Sequence, residues 1–169
     1  MSPQFDFEIN ALYTLLTDRG KGAFAFHWRL YLHLSAQCGY IYHLINEDNS
    51  TGWRFDPQPS RNFMNSEGLL VALEIDVLSP GSYQLMLDCV GQVRIVYSTR
   101  FHENITCRAW LKEALFLLDE EGFINLTLSV KDSKLEATLT MQKKKECEKP
   151  GLRRSVADWH VYTIRAGST

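Results

Sequence analysis

No CxxC pair, no long apolar run and no strong excess of one charge occur in this chain, and each absence closes a class of function. The four cysteines (Cys38, Cys89, Cys107 and Cys147) stand at wide, irregular spacings, which excludes a zinc ribbon or a thioredoxin-type motif. No segment approaches the ~18 consecutive apolar residues of a spanning helix, so no membrane span is expected. A formal net charge of −2 gives neither nucleic acid nor an anionic membrane reason to coat the surface, and no nucleic-acid partner is expected. Met1-Ser2-Pro3-Gln4-Phe5-Asp6 has neither the basic start nor the apolar stretch of a secretory signal. A cytoplasmic location with reduced thiols is the corresponding expectation.

What is present is an ordinary globular composition. With 45% hydrophobic and 22% charged residues, the 169-residue chain can bury a full core, and it reads as a single domain over residues 1–169. From Ala23 to Leu34 the residues alternate: Phe24, Phe26, Trp28, Leu30, Leu32 and Leu34 share one face, and Ala23, Ala25, His27, Arg29, Tyr31 and His33 the other. That pattern predicts a strand with its bulky face on the core. A turn at Ser35–Gly39 and a return strand over Tyr40–Ile45 complete a hairpin. The preceding segment, with apolar residues at 9, 12, 13 and 16, suits a short helix slightly better than an edge strand.

Further strands are predicted at Trp53–Phe55, Leu69–Val77, Leu126–Val130, Leu135–Met141 and Trp159–Ile164. Pro57 and Pro59 mark a surface loop between the first two of these, and residues 142–154 read as an exposed loop. Tyr83–Tyr97 fits either a helix to Val90 followed by a strand from Val93, or a hairpin turning at Gly91. Between Thr106 and Glu121 a wide apolar stripe at helical period predicts one long helix, about 106–121, capped by the Thr106 hydroxyl and ended by Gly122. The sum is an α+β fold: a mostly antiparallel curved sheet of about six to eight strands packed on that helix, with one or two shorter helices.

The candidate chemistry lies in Phe26-His27-Trp28 and Thr106-Cys107-Arg108-Ala109-Trp110. A thiol at a helix N-terminus feels exposed amides and the positive end of the macrodipole, which favour thiolate. An imidazole on a neighbouring strand could serve as its base. A third polar group usually orients such an imidazole. If paired residue numbers in the hairpin sum to 73, Asn46 faces His27; if they sum to 74, Glu47 does and His43 faces Tyr31. The inert reading stands beside this one, because Cys107 shares a stripe with Trp110 and Leu111 and a buried cysteine is common there. His33, His43, His102 and His160 are too scattered for a metal set, and no metal or other cofactor is expected.

His27-Trp28-Arg29-Leu30-Tyr31-Leu32 and Cys107-Arg108-Ala109-Trp110-Leu111 resemble the circularly permuted papain-like group. That group includes lecithin–retinol-acyltransferase-like proteins and permuted NlpC-type hydrolases. The same stretches, with the exit Glu121-Gly122-Phe123-Ile124, are similar to small fungal proteins carrying a His-Trp strand and a Cys-Arg-x-Trp helix. The resemblance spans roughly residues 23–124 and implies Cys107 as nucleophile, His27 as base, and His43, Asn46 or Glu47 as the third member. The Asn-Cys-Glu-His sequence of the acyltransferases is absent, since Thr106 precedes Cys107 and Arg108 follows it.

Two functions follow as expectations. One is a thiol-dependent hydrolase or acyltransferase acting on a small-molecule or peptide substrate through an amide or acyl group, with Trp28, Tyr31, Trp53 and Trp110 lining its binding cleft. The other is a non-catalytic or isomerase-like small-molecule-binding protein of a biosynthetic pathway, with an aromatic pocket drawn from Tyr31, Tyr40, Tyr42, Trp53 and Phe55. No heptad run or apolar surface helix selects an oligomeric state.

Overall fold

Strict alternation gives one strand two usable faces, and in the computed structural model of this protein that strand organises everything around it. The structure describes residues 6–18, 26–46, 52–61, 63, 68–126 and 163–165. Strand β1 is Ala11–Asp18, β2 is Phe26–Ser35 and β3 is Cys38–Tyr42. Phe26, Trp28, Leu30, Leu32 and Leu34 of β2 belong to the main core, whereas Tyr31 belongs to a second, smaller one. The pleat therefore sets His27, Arg29 and His33 on the Tyr31 face. Ala23–Ala25, the start of the predicted strand, lie outside the described residues.

The segment expected as a short helix is β1, a central strand with β2 on one side and β7 (Leu69–Val77) on the other, both antiparallel. The reason is burial on both faces. Leu12 and Leu16 enter the main core while Ala11, Tyr13 and Leu15 enter the second. A strand covered on both sides is apolar throughout, so its period of two is erased and a helical spacing arises by accident.

The chain runs on through β4 (Leu44–Ile45), β5 (Arg54–Phe55) and β6 (Gln58–Arg61). The main sheet has the order β6-β3-β2-β1-β7-β8, where β8 is Thr163–Arg165, and β4 and β5 form a separate two-stranded sheet. All neighbours are antiparallel except β7 and β8. The predicted Pro57–Pro59 loop is thus partly a strand; Pro59 sits on the sheet's outer edge, where a missing N–H breaks no ladder. Of the last predicted strand, Thr163–Arg165 is described and the rest lies outside. Most of Leu126–Val130, all of Leu135–Met141 and the 142–154 loop also lie outside the described residues.

Among the described residues two α-helices cover the main face. Tyr83–Gly91 is helix α1, after which residues 92–97 form no strand, which settles the ambiguity of that stretch in favour of a helix alone. Helix α2 is Cys107–Glu120, one residue shorter at each end than the stripe suggests. The Thr106 hydroxyl accepts from the Ala109 amide at 3.1 Å, and Gly122 takes φ +75° beyond the C-terminus, a conformation that favours glycine. Cys107, Trp110, Leu111, Ala114, Leu115 and Leu118 face the sheet as one buried stripe. No helix among the described residues is long and apolar enough to cross a membrane.

Candidate functional site

On the face away from α2, two imidazoles meet. His27 Nε2 lies 2.7 Å from His43 Nδ1, with the rings nearly perpendicular at 79°. Both residues are 3% exposed. His27 is positioned by β2, which is held from the other side by β1 through the pair Thr17–His27. His43 is positioned by the point at which the chain leaves the sheet: β3 ends at Tyr42, and Leu44 already pairs with Phe55 in the small sheet. The Asp56 amide donates to the His43 carbonyl at 2.9 Å and fastens this corner.

The far ring nitrogen of His43 points toward solvent through polar partners. His43 Nε2 is 2.9 Å from the Gln58 amide group and 3.4 Å from Asp56 Oδ2, and Asp56 is 27% exposed. Gln58 also donates to Asp56 Oδ2 at 3.3 Å, and Arg54 donates to Asp56 Oδ1 at 3.0 Å. The result is a line of polar groups from a sealed imidazole to a carboxylate at the surface. A proton on His43 Nε2 is met by the Asp56 carboxylate and requires the Gln58 amide to turn its oxygen to that nitrogen, leaving Nδ1 to accept from His27 Nε2–H. A proton on His43 Nδ1 reverses the direction of the His–His bond, with Gln58 donating to Nε2.

The structure brings together only part of the predicted site. His27 and His43 are in contact, so of the three polar candidates it is His43 that stands beside His27. The hairpin starts at the turn with Ser35 paired to Cys38, a sum of 73, but after a shift between Ser35 and His33 the register matches neither expected sum: His33 pairs with Gly39 and Leu30 with Tyr42, so paired numbers sum to 72. That irregularity adds a residue at the turn and moves every later partner. Asn46 does not orient the ring, for its Oδ1 is buried without a hydrogen-bond partner, and Glu47 lies outside the described residues.

Cys107 opens α2 as expected, but it is 6% exposed and belongs to the main core. Trp28 and Leu30 pack on that same core, so the pleat turns His27 to the opposite face. Among the described residues no hydrogen bond joins the Cys107 sulfur to His27. The aromatic candidates are divided in the same way. Trp110 is fully buried and touches Phe55 at 5.3 Å between ring centroids, with Trp28 and Trp53 packed on the same core. Tyr31 is enclosed on the other side, stacked on Phe63 at 5.4 Å, and burial pushes its hydroxyl up to about 12. Tyr42 is buried in the main core and Tyr40 is exposed.

Asp56 and Gln58 are the members that sequence reasoning missed. Their signal was weak: a polar Asp-Pro-Gln-Pro run after an aromatic pair reads as surface loop. Among the described residues no group of three or more histidine, cysteine or acidic side chains is arranged to hold a metal ion. Comparison with protein-family models, with curated proteins and with solved structures finds no match.

Proposed function

We propose that this protein is a hydrolase or acyltransferase for an amide or acyl substrate, with His27 as general base and His43 as the group that orients it. The observation that carries the reading is the 2.7 Å contact between two sealed imidazoles, continued to the Asp56 carboxylate. A base must be held in place and the proton it removes stabilised, and with the proton on His43 Nε2, His43 and Asp56 do both for His27. In the direct route His27 takes the proton of an attacking water, whose oxygen bonds to the acyl carbon as the leaving group departs with that proton. In the thiol route, which needs Cys107 brought from the Trp28 side of the sheet to His27, the thiol gives its proton to His27 and its sulfur forms a thioester with the acyl carbon. The leaving group takes the proton, and water or an acceptor alcohol or amine then releases the acyl group.

A second reading rests on an observation of its own, the enclosure of Cys107 in the core on the far side of the sheet. In it the histidine pair binds a small molecule and moves its proton, as in an isomerase, with no covalent step.

A panel of p-nitrophenyl esters and p-nitroanilides, assayed with wild type, His27→Gln and Cys107→Ser, separates the readings. Loss of turnover by roughly 10²–10⁴-fold in His27→Gln is expected for a general base. Equal loss in Cys107→Ser selects the thiol route, and retained turnover selects solvent as the attacking group. Wild type without turnover, or His27→Gln as active as wild type, contradicts the hydrolytic proposal.

A further inference from the structure

Between the segment that follows α1 and the outer side of α2 lies an open cavity of about 430 Å³, within the ~300–1,000 Å³ of small-molecule sites. Val93 and Leu117, which pack on the main core, line it together with Val96 and Tyr97. The last two are 48% and 51% exposed, so adjacent apolar side chains stand in solvent with nothing over them among the described residues. Neither His27 nor His43 lines this cavity.

Its charges are unevenly answered. Arg100 lies 3.4 Å from Glu113 and 3.0 Å from Glu120, and the Ser98 hydroxyl donates to Glu113 at 2.6 Å. Those carboxylates are therefore occupied. Arg94 has no hydrogen bond or ion pair among the described residues, so its end of the cavity is positive although the four charges cancel in sum. The wall is held in place before any ligand arrives. Ser98 and Glu103 form a bridge, the Phe101 amide donates to the Ser98 hydroxyl at 3.0 Å, and Arg100 lies 4.8 Å over the Phe116 ring. A preformed wall lowers the entropy lost on binding.

We infer that this cavity binds a small organic acid that joins an apolar body to a carboxylate. The body lies on Val96, Tyr97 and Leu117, and the carboxylate meets Arg94. The site is independent of the histidine pair and stands whether or not that pair catalyses anything.

Two probes of matched shape test it: 4-phenylbutyrate and its uncharged analogue 4-phenylbutan-1-ol, titrated into the ¹⁵N-labelled full chain. Amide shifts are expected in residues 92–100 and 113–120, with the acid binding roughly tenfold more tightly than the alcohol, the scale of one charge-assisted contact. Arg94→Gln brings the acid to the affinity of the alcohol and leaves the alcohol unchanged, while Tyr97→Ala weakens both. Arg94 and Tyr97 are exposed, and unaltered thermal unfolding checks that neither change disturbs the fold. Shifts centred elsewhere, equal affinities for acid and alcohol, an Arg94→Gln protein that still prefers the acid, or no shift at ~10 mM of either probe overturns the inference.

Discussion

Gly39 shows how tightly the second core is drawn around single atoms. A β-carbon there would stand 2.4 Å from the Leu32 carbonyl oxygen and 2.5 Å from the Tyr31 ring. The ring crosses the bare backbone, so Gly39→Ala must displace Tyr31 or the strand, and urea unfolding should show a loss of ~1–3 kcal/mol. His33 supplies a second prediction in the same place. Burial pushes its imidazole below the ordinary histidine value, with the Tyr31 hydroxyl 3.1 Å away. The folded protein thus holds His33 neutral, while the unfolded chain takes up a proton as pH falls through ~6.5. Its contribution to stability is whole above that pH and declines below it, toward the lower folded value. Urea midpoints at about pH 8 and about pH 5 should therefore differ less in His33→Phe than in wild type. An undiminished difference would place the pH sensitivity in other groups.

At the scale of elements, α2 was legible because every local signal agreed: a hydroxyl cap, an apolar stripe on one side, and a glycine past the end. Thr106→Ala should cost about 1 kcal/mol, and Thr106→Ser should restore most of it, because the bond at stake is a side-chain oxygen accepting the Ala109 amide. β2 and β7 were legible for comparable reasons, the first by alternation and the second by its aliphatic and β-branched run. β1 was not, since Ala11, Tyr13 and Leu15 face one core while Leu12 and Leu16 face the other. Its alternation exists in the fold but leaves no polar mark in the sequence. β6 was hidden differently, for two prolines flanking Gln58 signal a loop and only the edge position on β3 lets the strand form.

Among the described residues the molecule is a sheet with a core on each face, and that arrangement decides which chemical groups can meet. Single residues in the sequence announced His27, His43 and Cys107 as candidates, and the alternation of β2 already separated His27 from Trp28. Which candidates converge depends on where β3 leaves the sheet and where β6 returns to it, and no local pattern encodes either. Asp56 and Gln58 reach His43 only through that return, and Cys107 packs where α2 lays its stripe, on the Trp28 side. Replacing Asp56 with Asn keeps the shape at the surface end of the line but removes the carboxylate that meets a protonated His43. If the line works as a unit, Asp56→Asn lowers any His27-dependent turnover in the same assay while leaving the unfolding midpoint close to wild type.

The chemistry proposed for His27 depends on its hydrogen bond to His43, whose facing nitrogens stand 2.7 Å apart. Long-range ¹H–¹⁵N spectra of the two imidazole rings observe that bond without a substrate. One of the two facing nitrogens should carry the proton and the other should show the shift of an acceptor, and His43→Phe should move the His27 Nε2 resonance. A His27 Nε2 resonance that His43→Phe leaves unchanged would contradict the pairing.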